Sequence, residues 1–98
     1  MMFARIVTMQ LKSDKLDEAV KYYQEKLIPE VKSQKGFNSN YLLIDRETGK
    51  AVSVAFWDSK QIIIDDEESG RQAERVEGFK VFLSEPFTRE IYEVGAQS

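Results

Sequence analysis

Apolar and polar residues alternate along the first ten or so positions of the chain. Over residues 3–12 one face of the predicted strand carries Phe3, Val7, Met9 and Leu11, and the other carries Ala4, Ile6 and Thr8. Alternation with a period of two, in a segment rich in β-branched residues, indicates a β-strand. Since both faces are apolar at the centre, we expect both to be covered.

The spacing of apolar residues then changes to that of a helix. Ser13 and Asp14 are candidate N-cap residues. The residues at helical spacing behind them are Leu16, Ala19, Val20, Tyr23, Leu27 and Val31. Pro29 cannot donate a backbone hydrogen bond, so it should kink this helix or start a second short one. Gly36 is a plausible end.

Two strands joined by a turn are predicted next. On the first, Phe37, Tyr41 and Leu43 should share one face and Leu42 and Ile44 the other. Residues 45–50 form the turn, in which Gly49 is free to take a positive φ. On the second strand the small residues Ala51, Ser53 and Ala55 share a face with Trp57, which should leave room above the sheet on that side.

A second helical region and a final strand complete the pattern. Asp58 or Ser59 can cap a helix that begins with three isoleucines and is interrupted at Gly70. A second apolar set follows at helical spacing, namely Ala73, Val76, Phe79, Phe82 and Leu83. Pro86 ends it, because the residue before a proline avoids the helical region. Residues 87–94 read as the last strand.

The element order βαββαβ predicts a ferredoxin-like α+β fold over a single domain, residues 1–98. The four-stranded antiparallel sheet should carry its helices on one face. Apolar residues of the first three strands remain on the other face, and an apolar patch of that size usually marks an interface. We therefore expect a homodimer that pairs through the open sheet face.

Composition narrows the functional classes. The 98 residues carry a net charge of −3 with basic and acidic residues interleaved, which argues against nucleic-acid binding. The chain has no cysteine and no histidine, so disulfides, zinc–thiolate sites and Ser-His-Asp or Cys-His catalytic sets are excluded. No apolar run is long enough for a membrane span, and the first residues lack the features of a signal peptide. We expect a cytoplasmic protein without a cofactor.

The acidic run Asp65-Asp66-Glu67-Glu68 raises the question of a metal site. Contiguous acids on a helix point in different directions, and no glycine-spaced calcium loop of the EF-hand kind is present. A solvated helix end is the preferred interpretation, and no metal is predicted.

Four residues are candidates for contact with a small molecule. Trp57, the single tryptophan, either packs in the core or lines a pocket for a flat aromatic ligand beside the small residues of its strand. Tyr23 follows the apolar stripe of the first helix and is either a core tyrosine or a cleft residue. Asn40, or its neighbour Asn38, could hydrogen-bond a phenolic oxygen if it points inward. Arg5 interrupts an apolar strand face and pairs either with an acid across strands or with an anionic ligand.

Several stretches of the sequence resemble a known family. They read GF-x3-YLL-x-D-x2-TGK at residues 36–50, SVAFWDS at 53–59, IPEV-x4-GF at 28–37 and REIYEV at 89–94. Together they resemble the antibiotic biosynthesis monooxygenase-like domain of the dimeric α/β-barrel superfamily. The resemblance extends over about residues 3–95.

The resemblance implies a dimer in which two sheets form a barrel, with a cleft between sheet and helices in each subunit. Enzymes of the family oxidise aromatic polyketides or quinols with molecular oxygen and use neither metal nor flavin, and Trp57 matches the tryptophan at the end of a strand. Relatives that degrade haem use a histidine ligand, which this chain lacks. The asparagine that oxygenase members place on the same strand is also missing, and Ser53 and Val54 occupy that region.

Three functions remain open from the sequence. The first is a cofactor-independent monooxygenase with Trp57 as a wall of its site and Asn40 or Tyr23 polarising the substrate oxygen. The second is a non-catalytic domain of the same fold that binds a small molecule or serves in a stress response, and the third is a pure dimerisation module. No catalytic residue is assigned.

Overall fold

The computed structural model describes residues 1–98 and contains one antiparallel sheet of four strands. The strands are β1 (Phe3–Gln10), β2 (Phe37–Ile44), β3 (Lys50–Trp57) and β4 (Thr88–Glu93), arranged in the order β2-β3-β1-β4. The helices are α1 (Leu16–Tyr22), α2 (Ile28–Lys32), α3 (Lys60–Glu68) and α4 (Arg71–Phe79). A π-helical segment (Tyr23–Leu27) joins α1 to α2, and a short 3-10 helix (Lys80–Phe82) follows α4. The predicted ferredoxin-like α+β fold is confirmed.

The core lies between one face of the sheet and the helices. Its larger cluster contains Val7, Met9, Leu11, Ala19, Tyr23, Ala51, Phe79 and Phe82. A smaller cluster at the other end of the sheet contains Val31, Ala55, Trp57 and Ile63. The predicted division of β3 is observed, since Ala51, Ala55 and Trp57 are buried whereas Val52, Val54 and Phe56 remain partly exposed on the opposite face.

The first helical region differs from the sequence prediction at its start. Neither Ser13 nor Asp14 caps α1; Lys15 occupies the N-cap position and makes no side-chain cap hydrogen bond. Residues 13–14 instead lie in a turn that the Lys15 backbone N–H closes on the Lys12 carbonyl, at 2.9 Å. The second short helix expected at Pro29 is confirmed, with Pro29 in the first turn of α2 directly after the π-helical segment. A proline there lacks the N–H that a regular helix would use, which favours an irregular turn before it.

A β-bulge changes the face on which Phe37 lies. Phe37 pairs with Trp57, but Ser39 pairs with Phe56, so the strand gains one residue between them. The prediction that Phe37 shares a face with Tyr41 and Leu43 is therefore wrong. Phe37 instead lies on the helix side of the sheet, where its ring packs edge-on against Trp57 with centroids 5.4 Å apart.

The second helical region follows the predicted plan. Ser59 caps α3 by accepting a hydrogen bond from the Ile62 backbone N–H at 3.2 Å, and Gly70 separates α3 from α4 with φ +87°. Three details differ from the prediction. The helical backbone ends at Phe82 and not at Pro86, because Leu83 is already extended. Ala73 is exposed, and the side chains that α4 buries are Arg75 and Phe79. The acidic run is not a solvated helix end throughout, because Asp66 is only 7% exposed and forms ion pairs.

The sheet face that bears no helix is apolar and open. Its residues include Tyr41, Leu43 and Tyr92, each at least half exposed, around the partly exposed Ile6, Val54 and Phe56. No helix of the structure combines the length and the apolar character that crossing a membrane requires.

Candidate ligand-binding cavity

A cavity of about 70 Å³ lies between the sheet and the helices. Its walls are mainly apolar and come from β1, β3, the π-helical segment, α2, α4 and the segment after α4. The apolar residues are Val7, Met9, Leu27, Val31, Ala55, Val76, Phe79, Leu83 and Phe87, with the ring of Tyr23. The polar side chains that reach it are Arg5, Asn40, Ser53, Gln72 and Arg75. An apolar pocket with a few convergent polar groups is the usual form of a small-molecule site.

Three polar side chains at this cavity form a hydrogen-bonded cluster. The Tyr23 hydroxyl lies 2.6 Å from Ser53 Oγ, and the Asn40 amide nitrogen donates to the Tyr23 hydroxyl at 2.8 Å. Asn40 Oδ1 is buried and has no hydrogen-bond partner in the protein. A buried carbonyl oxygen normally accepts a hydrogen bond, so Asn40 Oδ1 lacks the donor that such an oxygen usually has.

The environment of Tyr23 keeps its hydroxyl protonated. Burial raises the pKa of the Tyr23 phenol, and the hydrogen bonds from Ser53 and Asn40 with the charges of Arg5 and Arg75 offset only part of that effect. At neutral pH the phenol therefore acts as a hydrogen-bonding group and not as a base.

Two buried arginines contribute the charge of the cavity wall. Arg5 donates to Asp66 at 3.2 Å and to Glu67 at 3.4 Å, and Arg75 holds the two oxygens of Asp66 at 2.7 and 2.9 Å. Arg75 also pairs with Glu30. None of these three carboxylates lines the cavity. The acids therefore hold the guanidinium groups from outside, and only positive charge borders the cavity itself.

The arginines keep the shared carboxylate ionised. Burial alone would raise the pKa of Asp66, but the hydrogen bonds and charges of Arg75 and Arg5 outweigh it and hold that pKa below its usual range. Burial alone would likewise lower the pKa of Arg75, but its bonds to Asp66 and Glu30 raise it overall. At neutral pH the carboxylate of Asp66 and the guanidinium of Arg75 are therefore both charged.

Trp57 lies behind this wall. Its side chain is fully buried, and it is not among the residues that line the cavity. The Arg5 guanidinium carbon lies 5.6 Å from the centre of the indole ring, within the range of a cation–π contact. The indole Nε1 is buried and has no hydrogen-bond partner. The ring supports Arg5 and closes the smaller core cluster.

Of the four candidate residues, the fold brings Tyr23, Asn40 and Arg5 to one cavity and places Trp57 beside it. Asn38 points elsewhere and donates to Asp58 at 2.8 Å. Sequence reasoning did not identify Arg75, whose position four residues before the buried Phe79 places it on the inner face of α4. It also did not identify Asp66, three residues after the buried Ile63.

Comparisons with known proteins establish the fold. A monooxygenase from the gene ActVA-Orf6 of Streptomyces coelicolor, solved in complex with the ligand nanaomycin D, superposes with a TM-score of 0.80 at 20% identity, over 98% of this chain and 90% of that one. A mutant of SnoaB, a cofactor-independent oxygenase from Streptomyces nogalater, gives 0.75 at 9% identity, over 98% and 95% of the chains. Rv0793 from Mycobacterium tuberculosis gives 0.77 at 14% identity, over 100% and 99%. The resemblance seen in the sequence is confirmed as a shared fold with antibiotic biosynthesis monooxygenases, two of which superpose with a TM-score of 0.74.

Comparison of sequences alone gives shorter matches than comparison of structures. No protein-family model matches the chain. Two curated proteins of Mycobacterium tuberculosis, uncharacterized proteins MT2634 and Rv2557, are each 36% identical to it over 55 residues, which is 56% of this chain. The match covers 25% of the length of those proteins.

Proposed function

We propose that this protein is a cofactor-independent monooxygenase that binds a small hydroxylated aromatic molecule in the cavity between sheet and helices. The observation that carries the proposal is the unpartnered oxygen of Asn40, buried next to the Tyr23 hydroxyl in a mainly apolar cavity. A ligand hydroxyl that donates to this oxygen would satisfy it, while the apolar walls would contact the ring. The fold shared with two named oxygenases supports the reaction type.

In this reaction the protein binds the ligand and stabilises the anion that forms when the ligand hydroxyl ionises. Ionisation of the aromatic hydroxyl makes the ring electron-rich enough to reduce molecular oxygen. One oxygen atom then enters the ring as a carbonyl, and the other leaves as water with the hydrogens of the ring C–H and the hydroxyl. Since the cavity wall has no carboxylate, the hydroxyl proton would leave to solvent water. The Tyr23 hydroxyl would donate to the resulting oxyanion, and the positive charges of Arg5 and Arg75 elsewhere on the cavity wall would favour the ionised form of the ligand.

A second candidate is a non-catalytic domain that binds the same ligand class. The observation in its favour is that no wall residue can act as a general base, since Tyr23 stays protonated and the chain has no histidine. Binding without consumption of oxygen would be the result expected of that function.

Oxidation of phenol under air tests the proposal. We expect oxygen uptake with formation of 1,4-benzoquinone, and incorporation of one ¹⁸O atom per product from ¹⁸O₂. Tyr23→Phe and Asn40→Ala should each lower kcat/KM by about 10-fold or more, because each removes a hydrogen bond at the buried cluster. Saturable binding without uptake would support the second candidate.

Tyr22→Phe is the matched control for Tyr23→Phe. Tyr22 adjoins it in the chain, but its ring packs against Phe79 and Phe82 outside the cavity wall, so losing its hydroxyl should leave kcat/KM unchanged. Equal losses in both variants would contradict a specific role for the Tyr23 hydroxyl.

We also propose that the functional unit is a homodimer paired through the open sheet face. Leu43→Lys places a charge on that face and should shift the sedimentation-equilibrium mass from dimer towards monomer. Val81→Lys is the matched control, because Val81 is 56% exposed where Leu43 is 55% exposed. Val81 lies in the 3-10 helix after α4, so its replacement by lysine should leave the dimer intact. A wild-type protein that sediments as a monomer would contradict the proposal.

A further inference from the structure

The cavity presents two different polar ends along one row of the sheet. Asn40 pairs with Ala55 between β2 and β3, and Ala55 pairs with Arg5 between β3 and β1. All three side chains face the helices, and all three line the cavity. Neighbouring strands lie about 4.8 Å apart, so the backbones of Asn40 and Arg5 are roughly 10 Å apart. Ala55 has only a methyl group to place between them, which leaves the floor of the cavity open.

The Arg5 end has hydrogen-bond donors that the protein does not use. Only Nη1 of Arg5 donates within the protein, to Asp66 and Glu67. Its Nε and Nη2 donate to no protein group, although the side chain is only 4% exposed. A guanidinium carries five N–H donors in a plane that matches the two oxygens of a carboxylate. The unused edge of Arg5, in a wall whose only charges are Arg5 and Arg75, suits an anionic ligand group.

The Asn40 end requires the opposite partner. Its free amide oxygen accepts a hydrogen bond and donates none, so it suits a hydroxyl group and disfavours a second carboxylate. The ligand that satisfies both ends carries a hydroxyl at one end and a carboxylate at the other. The apolar space between the ends suits an aromatic ring.

The volume of the cavity limits that ring system. A dry cavity of about 150 Å³ accommodates benzene, whereas pockets for drug-sized molecules measure roughly 300–1,000 Å³. The cavity of about 70 Å³ has to double roughly in volume to hold a single ring. It has to expand several-fold to hold a polycyclic molecule. One ring also fits between two ends that are only two strands apart.

We infer that the ligand class of this cavity is a monocyclic hydroxy-aromatic acid, with its carboxylate on Arg5 and Arg75 and its hydroxyl on Asn40 and Tyr23. The inference rests on the proposed function, because it assumes that this cavity is the ligand site. It adds the charge and the size of the ligand and assigns Arg5 as the residue that selects for the acid.

Isothermal titration calorimetry with three matched probes tests the inference. The probes are 4-hydroxybenzoate, 4-hydroxybenzyl alcohol, which lacks the charge, and benzoate, which lacks the hydroxyl. We expect 4-hydroxybenzoate to bind at least 10-fold more tightly than either of the other two, since the alcohol gives Arg5 only a neutral acceptor and benzoate leaves Asn40 unpaired. Equal affinities for the acid and the alcohol would overturn the inference.

Arg5→Met assigns the selectivity to one side chain. It retains much of the apolar stem and leaves Asp66 bound to Arg75 through two hydrogen bonds, so the fold should persist. We expect a loss of at least 10-fold for 4-hydroxybenzoate and a much smaller loss for the alcohol, which offers Arg5 only a neutral acceptor. Arg46→Met, which alters an exposed arginine paired with Asp17 on the hairpin, should change neither affinity. If Arg5→Met does not fold, Ala55→Leu on the cavity floor must abolish binding of all three probes.

The outcomes separate this inference from the proposed function. If phenol binds and Ala55→Leu abolishes that binding, while the acid shows no preference over the alcohol, the cavity is a ligand site and only the inferred ligand class is wrong. If neither phenol nor any of the three probes binds, the proposed function itself fails. If the acid binds but Ala55→Leu leaves its affinity unchanged, binding occurs elsewhere and the inference is overturned.

Discussion

Asp66→Ala is expected to lower the free energy of unfolding by about 3–5 kcal/mol, as the removal of one partner from a buried ion pair does. Asp66 is 7% exposed and is the carboxylate that Arg5 and Arg75 share. Without it, Arg75 keeps only Glu30 as a charged partner, and Arg5 keeps only the longer bond to Glu67. Urea unfolding followed by the fluorescence of Trp57, at one fixed protein concentration, measures the effect.

Asp17→Ala is the matched control for this variant. Asp17 also pairs with an arginine, at 2.8 Å from Arg46, but both side chains are largely exposed. Exposed ion pairs contribute about 0–1 kcal/mol, so the free energy of unfolding should change little. Equal unfolding midpoints for the two variants would contradict a structural role for the buried cluster.

The pH dependence of stability gives an independent check on Asp66. Its pKa is held below the usual range in the folded protein. A lowered folded-state pKa contributes stability that is fully present above the unfolded pKa of about 3.9 and is lost as pH falls through the folded value. The urea midpoint of the wild type should therefore fall steeply below about pH 4. Asp66→Asn should show a shallower fall, because it has no carboxylate to protonate there.

The sequence predicts the elements of this fold well because local patterns determine them. Alternation along β1 and β3, the helix cap at Ser59 and the glycines of the turns are visible in short windows of the chain. The alternation of Val52, Val54 and Phe56 also reveals that the second sheet face is apolar. The order of the elements then leaves the ferredoxin-like arrangement as the natural topology.

The site is harder to predict because it depends on departures from those patterns. A regular strand would place Phe37 on the opposite face from Asn40; the bulge after Phe37 puts both on the helix side. Phe37 then packs on Trp57, while Asn40 reaches Tyr23. An extra residue in a strand leaves no pattern in the sequence by which it could be foreseen.

The buried charges are hard to predict from the sequence for a related reason. An acidic run next to a glycine reads as a solvated helix end, and that interpretation fails where the helix turns one acid inward. Asp66 follows Ile63 by three residues and therefore shares its buried face. The arginine inside the apolar face of β1 was the sign that an internal acid exists. Which acid it meets depends on the docking of α3 against the sheet, a long-range contact between residues 61 positions apart.

Replacement of Trp57 decides whether the indole supports the cavity or touches its ligand. The side chain is fully buried, so Trp57→Ala should lower the free energy of unfolding by about 3–5 kcal/mol. Trp57→Phe keeps an aromatic ring against Phe37 and beneath Arg5 and should cost less. Because the indole lies behind Arg5 and outside the cavity wall, Trp57→Phe should leave the affinity for 4-hydroxybenzoate within a factor of about three.

Circular dichroism melting and calorimetric titration measure the two effects without the tryptophan fluorescence that these variants lose. Tyr23→Phe should have the opposite pattern of effects, since it removes one polar atom from the cavity cluster. It should weaken binding of 4-hydroxybenzoate, and it should lower the melting temperature less than Trp57→Ala does. A Trp57→Phe protein that melts like the wild type but no longer binds would place the indole in contact with the ligand. It would also mean that the cavity opens towards β3, beneath Arg5, rather than towards α4. The cavity of about 70 Å³ must expand to hold an aromatic ring. Comparison of Trp57→Phe with Tyr23→Phe therefore reports on which side of the cavity that expansion occurs.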